Sequence, residues 1–244
     1  MSALRSYRLL VVWQLRRVRG VMPIAIVVQG LLAVGIVLGY PLLFPQLDPM
    51  TTLFLATAAP TITLITMGLV LVPQFVAQAK TEGSLDYMRS LPVPRVVYLF
   101  ADLTVWLALV LPGVVFAIVV AAARFGLDLH VSPLVVPALL LVALTSTSVG
   151  YAIATLLPPM LANLTTQVLV VFVLMFSPLT FPAERLPDWL AAVHRALPIQ
   201  AMGEIVRGTL AADVFPVTAG AVAVLAAWCL ASFATTSFVL GRRA

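Results

Sequence analysis

Apolar residues run through this chain in long, nearly unbroken stretches, and polar residues collect in short clusters between them. A helix needs about 20 apolar residues to cross a hydrocarbon core of about 30 Å. The pattern offers six such stretches, at 22–40, 51–77, 96–122, 133–156, 161–176 and 214–240. Proline marks many of the breaks: Pro41 closes the first stretch, Pro158 and Pro159 separate the fourth from the fifth, and Pro178 follows the fifth. The second stretch is long enough to cross with tilt or a bend, and Pro60 and Pro73 inside it predict kinks. Thr57, Thr61 and Thr63 lie around Pro60, where hydroxyls either bond back to their own helix or form a moderately polar wall.

Three segments depart from this pattern. Residues 4–19 alternate Arg5, Arg8, Arg16, Arg17 and Arg19 with Leu9, Val12, Trp13 and Leu15, which predicts an amphipathic helix lying in the membrane interface rather than a cleaved signal peptide. Residues 78–102 hold the only lysine, Lys80, and a run, GSLDYMRSL, that makes about two helical turns before Pro92 and Pro94 stop it. On it Leu85, Met88 and Leu91 share a face and Asp86 and Arg89 stand three apart, a spacing that allows a solvated pair. Residues 182–210 form two segments too short to span, opened by Pro187 and divided by Pro198, which predicts a helical hairpin at or partly within one interface. There Glu204 and Arg207 are spaced to pair, and Trp189 and His194 suit an interfacial arm.

Composition agrees with a membrane protein: 62% of the residues are hydrophobic, 9% are charged and the mean hydropathy is +1.13. No soluble domain of ordinary size fits beside six spans. The net charge of +5 sits at the ends of apolar runs rather than on a nucleic-acid-binding face. With six spans, Arg5, Arg8, Arg16, Arg17, Arg19, Lys80, Arg89, Arg95, Arg242 and Arg243 share one side, against Arg124, Arg185, Arg195 and Arg207 on the other. The positive-inside rule then predicts cytoplasmic termini and a cytoplasmic 78–95 loop. Cys229, the single cysteine, reads as packing.

The order EGSLDYMRSLPVPR, then MFSPLTFPAERLPDWLAAVHRALPIQAMGEIVRGTL at 175–210, resembles the membrane subunits of type-2 ATP-binding-cassette exporters. With the N-terminal helix and the six-span count, the resemblance covers essentially the whole chain. It implies an all-α integral membrane protein with an interfacial helix at 4–19, a cytoplasmic coupling helix at 82–91 and an external re-entrant hairpin at 182–210. It also implies a dimer, either of two copies or with a homologous permease, coupled to separate nucleotide-binding ATPase subunits. ATP-coupling residues on this reading are Glu82, Gly83, Leu85, Asp86, Met88 and Arg89, with Trp13, Arg16 and Arg17 from the N-terminal helix. A substrate pathway would draw on Thr57, Thr61, Asn163, Thr166, Gln167, Phe172 and Met175. Trp189, His194, Glu204 and Arg207 would belong to the hairpin.

The chain itself offers no phosphate-cradling GxxxxGK[ST] loop, because its only lysine follows Ala79. ATP and magnesium are therefore expected on a partner chain, and no cofactor, metal or catalytic role is expected here. Membrane lipids are the other expected partner and nucleic acid is not. An ion-coupled transporter would want a buried acid or an inverted repeat; none of the nine acidic residues sits firmly mid-span, and Asp102 comes closest, with an interfacial structural role. An intramembrane enzyme would need a histidine–acid cluster that His130 and His194 do not form, and a non-transporting assembly subunit is a third alternative. The inner membrane of a bacterium with a GC-rich genome suits the arginine-rich, lysine-poor usage. Substrates that suit a weakly polar lining are an amphipathic drug, a lipid or a lipid-linked glycan.

Overall fold

The structure is a computed structural model and describes residues 3–43, 48–84, 93–126 and 130–241. Helices dominate it: α1 (Ala3–Val18), α2 (Met22–Leu43), α3 (Pro49–Thr66), α4 (Val72–Thr81), α5 (Arg95–Phe125), α6 (Val135–Leu156), α7 (Pro159–Phe176), α8 (Asp188–Ala196), α9 (Pro198–Leu210) and α10 (Ala219–Gly241). Six helical stretches are long and apolar enough to cross a membrane: Met22–Gly39, Pro49–Thr81, Val96–Phe125, Val135–Leu156, Pro159–Phe176 and Ala219–Val239. The chain is thus an all-α, multi-pass membrane protein. The expected residues Leu85, Asp86, Met88 and Arg89, with the Asp86–Arg89 pair, lie outside the described residues, as do Arg242 and Arg243.

Helix boundaries follow local chemistry. Asp48 caps α3, accepting from the Thr51 backbone N–H at 3.2 Å and from its hydroxyl at 2.5 Å, and Pro49 takes the first helical turn, where no N–H is needed. Gly126, at φ 60°, ends α5 in the left-handed region. Pro159 and Pro198 open α7 and α9 in the same way as Pro49, and Pro187 stands as the N-cap of α8.

The second span is continuous from Pro49 to Thr81 but contains a π turn at Met67–Leu71, just before Pro73. A proline has no N–H and its ring crowds the carbonyl four residues back, so the helix widens by one residue there instead of breaking. This span is the centre of the protein, with 89% of its window buried, against 22% for the first span and 17% each for the fifth and sixth. Around it pack α2, α5, α6, α7 and α9. Gly68 and Gly150 bring the π turn and α6 into backbone contact: a Cβ on Gly150 would lie 1.9 Å from the Gly68 carbonyl oxygen. Small residues at a crossing permit such approach where lipid supplies no hydrophobic drive. Ser146 completes the seam, its hydroxyl donating to the Leu64 carbonyl at 3.3 Å.

The two short helices of the 182–210 segment differ in burial. On α8 Trp189 is exposed, whereas α9 is almost wholly buried against α3, α6 and α10. The second arm is therefore wedged into the bundle. At that end the Ser132 N–H donates to Thr209 at 2.8 Å and His130 lies 3.3 Å from Asp213. At the opposite end α1 lies along α5, and the Lys80 ammonium donates to the carbonyls of Thr155 and Leu157, at 2.9 and 3.0 Å, capping the end of α6.

Candidate functional site: a charged junction, an open helix face and a buried arginine

At the α1 end, Arg17 reaches from α1 to the end of α4. Its guanidinium lies 3.7 Å from the Glu82 carboxylate, donates to the Ser84 hydroxyl at 3.1 Å and sits 5.7 Å from the centre of the Trp13 ring. Glu82 is the C-cap of α4 and also accepts from Gln78 at 2.7 Å. Gly83 follows at φ 72°, a conformation a side chain would strain. Trp13 and Arg16 are exposed on the same helix. The structure therefore brings Trp13, Arg17, Glu82 and Gly83 together, while Arg16 faces solvent or headgroups beside them.

The pathway residues divide. Thr57, Thr61 and Thr166 are buried, and each hydroxyl donates to a carbonyl of its own helix, Leu53, Thr57 and Asn163 respectively, at 2.7–2.9 Å. In one copy of the chain these three hydroxyls satisfy the backbone of their own helices. Phe172 stacks on His194, ring centres 5.4 Å apart. Asn163, Gln167 and Met175 remain exposed on one face of α7, together with Met160, Leu164 and Val171. Two amides a helical turn apart on an uncovered face of a span are unlike lipid-facing residues, since amides at that depth hydrogen-bond across helices.

Arg207 departs from the expected local pair. It is buried, 7% exposed, and the described ion pairs do not include a contact with Glu204. Its guanidinium lies 3.7 Å from the centre of the Phe54 ring and 5.5 Å from that of Phe215, donates to the Leu179 carbonyl at 2.9 Å, and reaches the Thr57 hydroxyl at 3.4 Å. Glu204 instead accepts from Gln200 at 2.8 Å and from Thr218 at 3.4 Å. A buried planar cation on an aromatic face recovers from the ring quadrupole part of what it loses in hydration. Burial lowers its pKa to about 10, so it remains a cation at neutral pH. Arg207 thereby clasps α9 to α3 and to the segment after α7. His194 is fully buried and neither ring nitrogen makes a hydrogen bond of ordinary geometry; burial lowers its pKa, opposed by the nearby Phe176 backbone, and favours the neutral ring.

Asp102, expected in an interfacial structural role, is 6% exposed within the bundle, with the Trp106 indole N–H 3.3 Å from its carboxylate. Tyr98, Asp102 and Trp106 recur every four residues and so form one stripe of α5, a signal visible in the sequence. Its neighbours Gln14 and Tyr151, from α1 and α6, carried no such signal. Among the described residues no group of three or more His, Cys, Asp or Glu side chains is arranged to hold a metal ion.

Comparison with known protein families matches residues 46–241 to the family described as ABC-2 family transporter protein. Neither the curated proteins nor the solved structures gave a match. The matched stretch takes in every span after the first, including the α7 face and the α8–α9 pair. The chain belongs to the ABC-2 family of transporter proteins, as a membrane permease subunit.

Proposed function

We propose that the chain is half of an ATP-driven exporter for an amphipathic or lipid-like substrate, working as a dimer with ATP hydrolysed on separate nucleotide-binding subunits. The observation that carries this reading is the uncovered α7 face, where Asn163 and Gln167 lie among Met160, Leu164 and Met175. Amides on a lipid-facing surface would be costly, so a second permease copy and the passage between the two copies are their natural cover. The mixture of amide, thioether and aliphatic groups suits a substrate with a long apolar part and few polar groups. The Arg17–Glu82 junction is the contact point for the ATPase: α1, the end of α4 and the following turn move as one if that pair holds. The 182–210 pair of helices is the external re-entrant hairpin, and the termini and the Glu82 turn face the cytoplasm. Positive charge on the α1 side supports that orientation.

The test is ATP-driven uptake of a fluorescent amphipathic probe into inside-out vesicles that hold the chain with its copurifying ATPase. Gln167→Leu should reduce flux several-fold while basal ATP hydrolysis continues. Glu82→Arg, which sets two cations against each other, should leave hydrolysis uncoupled from flux. Unchanged flux in both variants, or no copurifying ATPase, would overturn the reading.

A further inference from the structure

One face of α1 fixes it to the bundle. Leu10, Gln14 and Val18 are buried on that face, and the Tyr7 hydroxyl lies 2.8 Å from the Thr104 hydroxyl of α5. Residues four apart stack on one side of a helix, so this seam sets which side chains point away from the protein. In the first three turns these are Leu4, Arg5, Arg8, Leu9 and Val12, which line a shallow hollow of about 390 Å³ on the outer face. Arg5 and Arg8 have no part in the ATPase junction described above.

Three features select what covers this hollow. The first is charge. Arg5 and Arg8 stand one helical turn apart, with about 5–6 Å between their Cβ atoms, a spacing that lets two guanidinium groups converge on one anion. The described ion pairs, Arg17–Glu82 and His130–Asp213, include neither arginine, and no acidic residue precedes Asp48 in the chain. The second is apolarity on the same face. Leu4, Leu9 and Val12 are 70%, 54% and 48% exposed beside the two arginines. A free phosphate would satisfy the arginines and leave these side chains in water, whereas a lipid covers both. The third is position. Only residues 19–21 separate α1 from α2, whose Met22–Gly39 stretch is long and apolar enough to cross a membrane, so α1 is held at one end of a span. Charge also chooses among lipids. A zwitterionic head group brings its own ammonium toward the arginines, and like charges repel; a phosphodiester without an ammonium carries no such penalty.

We propose that Arg5 and Arg8 hold the phosphodiester of one anionic phospholipid, with Leu4, Leu9 and Val12 against the first carbons of its acyl chains. The guanidinium groups donate to the phosphate oxygens, and the aliphatic side chains lose their contact with water. This inference does not depend on the transport reading, because it needs neither ATP, a substrate nor a second copy of the chain.

Native mass spectrometry of the purified full-length chain, titrated in detergent with phosphatidylglycerol, phosphatidylcholine or glycerol 3-phosphate, tests it. Phosphatidylglycerol should be retained at least tenfold more tightly than phosphatidylcholine, and glycerol 3-phosphate, which has the charge and no acyl chains, should leave no adduct at the same concentrations. An arginine near an anionic lipid surface contributes about fivefold in affinity, so Arg5→Gln and Arg8→Gln should each weaken phosphatidylglycerol about fivefold and the double variant at least tenfold. The single variants keep the test decisive if the double variant fails to fold. Arg124→Gln with Arg195→Gln removes the same charge from two exposed arginines elsewhere and should bind as wild type. An equal loss in that control would make net charge the cause and overturn the proposal. Equal retention of the two lipids, or glycerol 3-phosphate held as tightly as phosphatidylglycerol, would overturn it as well. A double variant that binds phosphatidylglycerol as wild type but no longer copurifies with an ATPase would show that the face docks a protein, and the proposal would fall.

Discussion

The contact between the π turn and α6 makes a sharp prediction about Gly150. A Cβ placed there would lie 1.9 Å from the Gly68 carbonyl oxygen and 3.0 Å from the Pro73 Cδ, and both obstacles belong to backbone or to a closed ring that cannot swing aside. Gly150→Ala must therefore push α6 away from the central span and loosen the Ser146–Leu64 hydrogen bond of the same seam. Overpacking of this kind costs about 1–3 kcal/mol. The intrinsic helix preference of alanine over glycine returns about 0.5–1 kcal/mol. The net loss is then up to about 2.5 kcal/mol, or up to about 10 °C in Tm for a chain of this size. Gly35 is the control. It lies within α2 with nothing within 4 Å of its would-be Cβ, so Gly35→Ala should match or slightly exceed the wild type. Thermal melts in detergent, read with a thiol-reactive dye on Cys229, the single cysteine, measure both. If Gly150→Ala melts with or above Gly35→Ala, the close approach is not a constraint on the fold and the reasoning fails.

Arg207 and His194 give two further expectations. Arg207→Ala removes a charge-assisted hydrogen bond and a ring contact and orphans the Leu179 carbonyl, which together amount to about 2–4 kcal/mol even after the relief of burying a charge. Arg207→Met, similar in reach but with neither donor nor charge, should lose nearly as much as Arg207→Ala; a melt series in which Arg207→Met keeps more than half of that stability would refute the ring-and-carbonyl account. For His194 the sign follows from burial: its folded pKa lies below the unfolded value, so the unfolded chain binds the extra proton and stability falls as pH drops below about 6.5. His194→Phe, which keeps the stack on Phe172, should flatten that part of the Tm-against-pH curve between pH 7.5 and 5.5, and an unchanged slope would remove His194 as its source.

Much of the architecture was legible because membrane insertion is a local constraint. Apolar length and proline position act within about 20 residues, and they delivered six helices long enough to cross, which the structure bears out. The π turn was half legible: Pro73 predicted a disturbance, but the close approach of Gly68 to Gly150 beside it is a tertiary contact that no local pattern encodes. Arg207 was misread because a spacing of three on a helix suggests pairing with Glu204, whereas burial of α9 turned the guanidinium toward the Phe54 ring instead.

By itself the sequence determined the membrane class, the count and order of the spans, the absence of a phosphate loop and the uneven placement of basic residues. Each of these follows from composition or short-range periodicity. Tertiary structure decided which polar groups are buried and what they meet. Arg207 reaches Thr57 across 150 positions of chain and Arg17 reaches Ser84 across 67, contacts that no local pattern encodes. It also decided that Asn163 and Gln167 face outward while Thr166 between them faces in, because helix rotation is set by the neighbours a helix packs against. The physical reason is the same throughout: lipid selects helices by length and apolarity, but the pairing of their polar groups is chosen by whatever the assembled bundle leaves within reach.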